Sequence, residues 1–247
     1  DITVYEKSRG VSGRAASRTR HGVRFDHGAN YLKISSETFR RLILEELPNE
    51  DLVEIRGDIW TFDGNGELSP GDPDLNSEAR WTYRSGISTL GKNLAACTGL
   101  RVENQVKVER LTLESSGWTL FDESLDRVGS HDAVLMTPPA PQAATILETS
   151  ELPDSFRPVI DRLSSVAFHR QFSVILGIEG ELKRPGDFFA LVNSDREHDI
   201  AWLSFENDKP GHVSPGITVL VVQMAPSWSA SHFEEPPEHW IDEVIDK

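Results

Sequence analysis

At 247 residues the chain is long enough to bury a substantial core, as one large domain or two interleaved ones. A formal charge of −15 argues against nucleic acid and anionic membrane as partners, because a long-range negative field repels polyanions. The lone Cys97 excludes an internal disulfide and fits a reducing cytoplasm. No apolar run approaches the roughly 18 residues of a membrane helix.

In chain order, Ile2-Thr3-Val4-Tyr5 alternates as a short strand and ends on an acid, Glu6. A loop with glycines and a cation follows, Gly10-Val11-Ser12-Gly13-Arg14. In dinucleotide-binding folds an acid at the tip of the second strand accepts from the ribose hydroxyls. The first strand and glycine turn belong about 20 residues earlier, so this sequence is expected to start in the middle of a cofactor-binding unit. Residues 23–26 predict a second strand running into His27-Gly28. Ser35 and Ser36 predict the cap of a helix over 37–44 with an early Glu37. Residues 51–68 read as two strands joined by the turn Asp63-Gly64-Asn65-Gly66, and 70–76 as a surface loop. Residues 86–97 are amphipathic, with Ile87, Leu90, Leu94 and Ala95 at helical spacing.

From Gly99 the pattern turns to strands, over 100–102, 106–113 and 117–121. Asp132-Ala133-Val134-Leu135-Met136-Thr137 reads as a buried strand entering Pro138-Pro139-Ala140-Pro141. Helices are expected over 142–147 and 153–163. Residues 170–178, 188–192, 200–206 and 218–225 predict an antiparallel sheet, and 231–245 a helix. The expected class is therefore α/β nucleotide-binding elements interleaved with a mostly antiparallel second sheet.

Glu6, Gly10, Gly13 and Arg14 together suit a dinucleotide. The acid accepts from the ribose diol, glycine permits close backbone approach, and the cation sits near the pyrophosphate. On these residues alone, a surface strand-turn with an incidental acid is an equal reading. No metal pattern emerges: the histidines are scattered, the cysteine has no partner, and Glu45-Glu46 and Glu234-Glu235 read as solvated faces. No nucleophile elbow, Walker loop or zinc-protease helix is present.

The surrounding segments change the balance. YEKSRGVSGRAASR, FDHGANYL, DAVLMTPPAPQAATIL, IAWLSFENDKPG and VLVVQMAPSWSASHFEE together resemble the two-dinucleotide-domain flavoproteins of the flavin amine oxidase superfamily, most closely its renalase-like FAD/NAD(P)-dependent branch. The resemblance implies an FAD-binding Rossmann-like fold interleaved with a substrate-domain sheet, the first βα unit missing. The FAD-binding domain would be 1–35 and 86–150, and the substrate domain 36–85 and 151–247, both incomplete. It implies that Glu6 binds the adenosine ribose and that Arg14 contacts the pyrophosphate region beside Gly13. Asp26, His27, Gly28 and Ala29 would lie close to the flavin, their backbone passing the cofactor, Val106 would face the adenine through its main chain, and Thr137 with Pro138 and Pro139 would close the nucleotide site. The branch suggests a small reduced donor such as isomeric NAD(P)H, with O2 as acceptor.

Two departures are visible. The family loop has Gly-Gly-Arg where this chain has Ser12-Gly13-Arg14, and serine takes a positive φ only at a cost. The glycine turn upstream of residue 1 and the C-terminal Gly-Asp segment of the family do not occur in this sequence, which as given is expected to be an inactive piece of the flavoenzyme. Catalysis is chiefly the flavin's, so no triad is expected. His27 and Lys209 are the weak catalytic candidates, with Lys209 read as an exposed turn lysine, and His169 and His198 are further polar candidates. Trp202 and Trp228 are candidate cavity walls, against a default of core packing. An amine oxidase or desaturase on the same scaffold, and a flavin-free degenerate binding module, are the competing readings.

Overall fold

A computed structural model describes all residues from Asp1 to Lys247, with a mixed α/β architecture. By packing, the chain forms two compact units, residues 1–11 with 98–168 and residues 12–97 with 169–247. These units cut the chain after Val11, Cys97 and Phe168, whereas the functional division read from sequence cuts it after residues 35, 85 and 150.

In the first unit the strand Thr3–Glu6 pairs in parallel with Arg101–Asn104, Glu6 opposite Asn104. A three-stranded antiparallel sheet follows, Val108–Glu114, Gly117–Asp122 and Arg127–His131. Helices Ala140–Glu148 and Arg157–Ser164 pack on it. Both carry proline in the first turn, where the missing N–H costs nothing. Leu111, Leu120, Leu147 and Ile160 form the buried centre.

Residues 132–137 do not form the expected strand: they pair with no ladder, and Leu135 is 88% exposed. An apolar run becomes a strand only where a neighbour takes up its N–H and C=O groups, and none in this unit does.

The second unit is built on a six-stranded sheet in the order Ser173–Glu179, Ile217–Met224, Ile200–Phe205, Phe188–Asn193, Asp58–Phe62, Leu68–Ser69. It is antiparallel as expected, except that Phe188–Asn193 runs parallel to Asp58–Phe62. Residues 218–222 are buried without a break, the signature of a strand covered on both faces. A smaller sheet joins Leu32–Lys33, Arg80–Tyr83 and Leu52–Glu54, and Ser17–Arg20 pairs with Val23–Asp26 as a hairpin through His21-Gly22. The 51–68 stretch therefore divides: Leu52–Glu54 belongs to the small sheet, and the turn at 63–66 joins Asp58–Phe62 to Leu68–Ser69. Within 70–76, Pro73–Asn76 is a short helix capped by the Asp72 carboxylate.

Ser36 caps the helix Glu37–Arg41 by accepting from the Phe39 N–H, as its sequence predicts, and the helix widens into a π turn over Leu42–Glu46. The predicted 86–97 helix spans Thr89–Thr98. The expected helix over 231–245 is two shorter ones, Pro226–Ser231 and Ile241–Asp246, because Pro236 and Pro237 interrupt the run.

Candidate functional site

The first unit places Glu6 at the carboxyl end of its parallel strand. Its Oε1 accepts from the Ser8 N–H at 2.7 Å, and its carbonyl accepts from the Val106 N–H at 3.1 Å. Glu6 and Val106 thus share one strand end, with the second carboxylate oxygen open to a hydroxyl. Gly10 beyond it has open space where a Cβ would stand. Thr137 and Pro138 are exposed, ahead of the helix that starts at Ala140.

In the second unit Gly13 lies at φ 53° and Ser12 at φ 117°. Serine occupies the left-handed region that the family's glycine would enter freely, and its Oγ, bonded to the Ser88 carbonyl at 2.7 Å, helps hold it there. The Arg14 carbonyl accepts from the Ala29 N–H at 2.9 Å, and the Ala16 carbonyl from the His27 N–H at 3.1 Å. A Cβ on Gly28 would overlap the Arg14 carbonyl oxygen, so only glycine permits this approach.

The turn that Gly28 makes lines an open cavity of about 310 Å³ with Ala29, Asn30, Tyr31, Trp202 and Gln223. Trp202 and Gln223 stand opposite each other across adjacent strands. The Tyr31 and Trp202 rings lie 6.2 Å apart at 34°. Gln223 Nε2 donates to the Gly28 carbonyl at 3.1 Å, and Asn30 Oδ1 accepts from Ser204 Oγ at 3.3 Å. Each of these two cavity-lining amides thus keeps one atom outside that bond, Gln223 Oε1 as an acceptor and Asn30 Nδ2 as a donor. Trp228, the other tryptophan considered from sequence, is core, its Nε1 bonded to Glu243 at 3.0 Å.

Behind this wall lies a fully buried ionic cluster. Asp26 Oδ1 accepts from Ser17 Oγ at 2.6 Å and the Ile87 N–H at 3.0 Å, and Oδ2 from Thr82 Oγ1 at 3.2 Å and Lys209 Nζ at 3.1 Å. The Asp26 N–H donates to Glu206 Oε2 at 3.2 Å. Burial would raise the Asp26 carboxyl, but Lys209, His212, Ser17 and the Ile87 N–H outweigh it and hold the group below its ordinary value. His27 is pushed below the ordinary imidazole value by burial and by Arg18, with Asp26 opposing.

One sequence reading is corrected here. Lys209 is 1% exposed, so it is no turn lysine in solvent: the chain reverses at Pro210-Gly211 with the ammonium folded inward onto two carboxylates. The Asp26 side chain is 0% exposed, so within 26–29 it is Gly28 and Ala29 that line the cavity while Asp26 supports the segment from the interior. His27 is not among the lining residues, and His169 is exposed. His198 lines a separate cavity of about 150 Å³ with Phe62, Leu191 and Ile200. Sequence reading missed Glu206, His212, Asn30, Tyr31 and Gln223. A signal existed: Trp202 and Ser204 alternate in the strand Ile200–Phe205, Glu206 follows at the same spacing just past its end, and the three meet Tyr31, Asn30 and Asp26.

The sequence profile of the NAD(P)-binding Rossmann-like domain matches residues 1–46, and that of the flavin containing amine oxidoreductase family matches residues 54–246. The chain therefore belongs to the flavin-containing amine oxidoreductases; it is an FAD-dependent oxidoreductase with a Rossmann-like dinucleotide-binding element.

Among solved structures it is similar to the cyclohexylamine oxidase of Brevibacterium oxydans IH-35A, at 12% identity and a TM-score of 0.71 over 98% of this chain and 74% of that one. A putrescine oxidase solved with putrescine gives 12% identity and 0.65 over 96% and 72%. A fatty acid isomerase of P. acnes gives 13% and 0.61 over 90% and 70%. At these identities the similarity speaks for the fold. No helix is long and apolar enough to cross a membrane.

Proposed function

We propose that the protein oxidises a small reduced donor of the nicotinamide type at the Gly28–Tyr31 cavity, with FAD as the electron acceptor and O2 reoxidising it. The observation that carries this reading is the pair of side-chain amides, Gln223 and Asn30, that line the cavity. Their internal bonds leave Gln223 Oε1 as an acceptor and Asn30 Nδ2 as a donor, the complement of a primary carboxamide. The Tyr31 and Trp202 rings offer faces for a planar heterocycle. No carboxylate lines the cavity to balance an ammonium group.

For the cofactor, the open carboxylate oxygen of Glu6 suits a ribose hydroxyl, and the bare backbone at Gly10 suits close approach. The residues fit, and FAD when bound supplies the two-electron acceptance that no side chain can. In the first unit Glu6, Gly10, Val106, Thr137 and Pro138 are its proposed contacts. In the second they are Gly13, Arg14, Gly28 and Ala29, with the main chain of Asp26 and His27 beside them. The proposed domain division is 1–35 with 86–150 for FAD and 36–85 with 151–247 for substrate. The exposed Cys97 supports a reducing, cytoplasmic setting.

A second reading is amine oxidation. The family match and the aromatic pair Tyr31/Trp202, which could face a cation, favour it. Peroxide formation by the FAD-loaded protein with reduced NAD(P), its isomers and a panel of primary amines separates the two. The proposal expects turnover with the nicotinamides; turnover with amines alone overturns it.

A further inference from the structure

His212 fixes a proton count in the buried cluster. Its Nε2 faces the Tyr83 carbonyl at 3.0 Å. A carbonyl only accepts, so Nε2 carries hydrogen. Its Nδ1 faces Glu206 Oε2 at 2.7 Å. That contact is a hydrogen bond only with a proton between the two atoms, on the ring or on the carboxyl. The other Glu206 oxygen meets Lys209 Nζ at 2.7 Å as an ionic contact off the hydrogen-bond direction.

All four side chains are 0% exposed. With the shared proton, the charges of Asp26, Glu206, Lys209 and His212 sum to zero whichever partner holds it. Without it, a net negative charge is buried with a nitrogen lone pair against a carboxylate, which a dry interior does not tolerate. Two carboxylates and an imidazole this close could otherwise chelate a cation, but the Lys209 ammonium occupies that place. The groups facing the pair are Asp26 from the strand Val23–Asp26, Thr82 and Tyr83 from Arg80–Tyr83, and Lys209 from its own turn. The Arg24 guanidinium lies beside it on the Arg84 and Gly211 carbonyls.

We propose that Glu206 and His212 share one trapped proton in the folded protein, and that the resulting neutral tetrad is the positioning device of the cavity wall. Asp26 transmits it: pinned by the tetrad, Asp26 sets the course of His27, Gly28 and Ala29 against Arg14–Ala16 and Gln223. The donor-binding arm of the test rests on the function proposed above; the proton itself does not.

Charge arithmetic gives the test. His212→Gln leaves a net charge of −1 in the tetrad unless Glu206 binds a proton of its own at a cost in free energy, whereas Glu206→Gln with His212→Gln is neutral without one. The single variant is expected to lose thermal stability and, in the folded FAD-loaded enzyme, to raise the donor KM about tenfold with kcat little changed. The double variant should regain stability and move KM back toward wild type. If the double variant is as damaged as the single or worse, the side chains act by packing alone and the proposal fails.

Independently, histidine-selective ¹⁵N NMR of the wild-type protein at about pH 7.5, one unit above the ordinary imidazole value, should show Nε2–H together with a far-downfield, slowly exchanging proton at the His212 Nδ1–Glu206 link. A bare Nδ1 without that proton overturns the proposal, and does so whether or not any nicotinamide donor is oxidised.

Discussion

Lys209 Nζ lies 3.1 Å from Asp26 Oδ2, and neither side chain has any exposed surface. The pair ties the strand Val23–Asp26 to the turn after Ile200–Phe205. Removing one partner strands the other's charge, so Lys209→Met should cost about 3–5 kcal/mol. Asp26→Asn with Lys209→Met removes both charges and should recover part of that loss. A double-mutant cycle by chemical denaturation checks this. Additive losses would mean that the two groups do not interact.

Asp26 also predicts acid lability. Its folded carboxyl sits below the ordinary value of 3.8. The unfolded chain therefore takes up a proton first as pH falls. The stabilisation is full above about 3.8 and is lost as pH drops through the folded value. Thermal scans between about pH 6 and pH 3 should show a steeper decline in the wild type than in Asp26→Asn.

Gly28→Ala should be among the most damaging single-methyl changes in the chain. The new Cβ meets the Arg14 carbonyl oxygen, backbone that cannot yield without moving Ala29. A loss of about 3 kcal/mol is expected. Gly10→Ala, with open space around its Cβ position, should cost less than about 1 kcal/mol. Thermal melts of both variants make the comparison.

Gln223→Leu removes the cavity acceptor and leaves the Gly28 carbonyl without its side-chain donor. Trp202→Ala removes an aromatic face of the same wall. Each should weaken donor binding about tenfold, read as a rise in KM that exceeds any change in kcat. A fall in kcat at constant KM would instead place these groups at the chemical step.

Local signals were the legible ones. The Ser36 cap, the continuous burial after Ile217 and the strand ending on Glu6 each depend on a few neighbouring residues, and all are present. The loop from Gly10 to Arg14 was legible too, including the strain expected where serine replaces glycine, which appears as φ 117° at Ser12. What was not legible depends on distant partners. Asn-Asp-Lys-Pro-Gly reads as a polar surface turn, and Lys209 is buried with a distant partner, Asp26, 183 positions away, beside its local one, Glu206. Residues 132–137 have the composition of a strand, but no local pattern reveals whether a neighbour pairs with them. The cavity wall at Asn30, Tyr31 and Gln223 joins two segments whose approach is set by the sheet rather than by any motif.

The central claim is that this chain's site takes electrons from a nicotinamide donor into FAD. The most direct measurement is the visible absorption of the FAD-loaded protein under anaerobic titration, first with reduced NAD(P) and its isomers, then with primary amines. The account predicts stoichiometric flavin and bleaching of its visible bands by the nicotinamides, with colour returning on admission of air. Bound flavin that bleaches only with amines would contradict the donor assignment, and a protein that takes up no flavin would contradict the claim at its root.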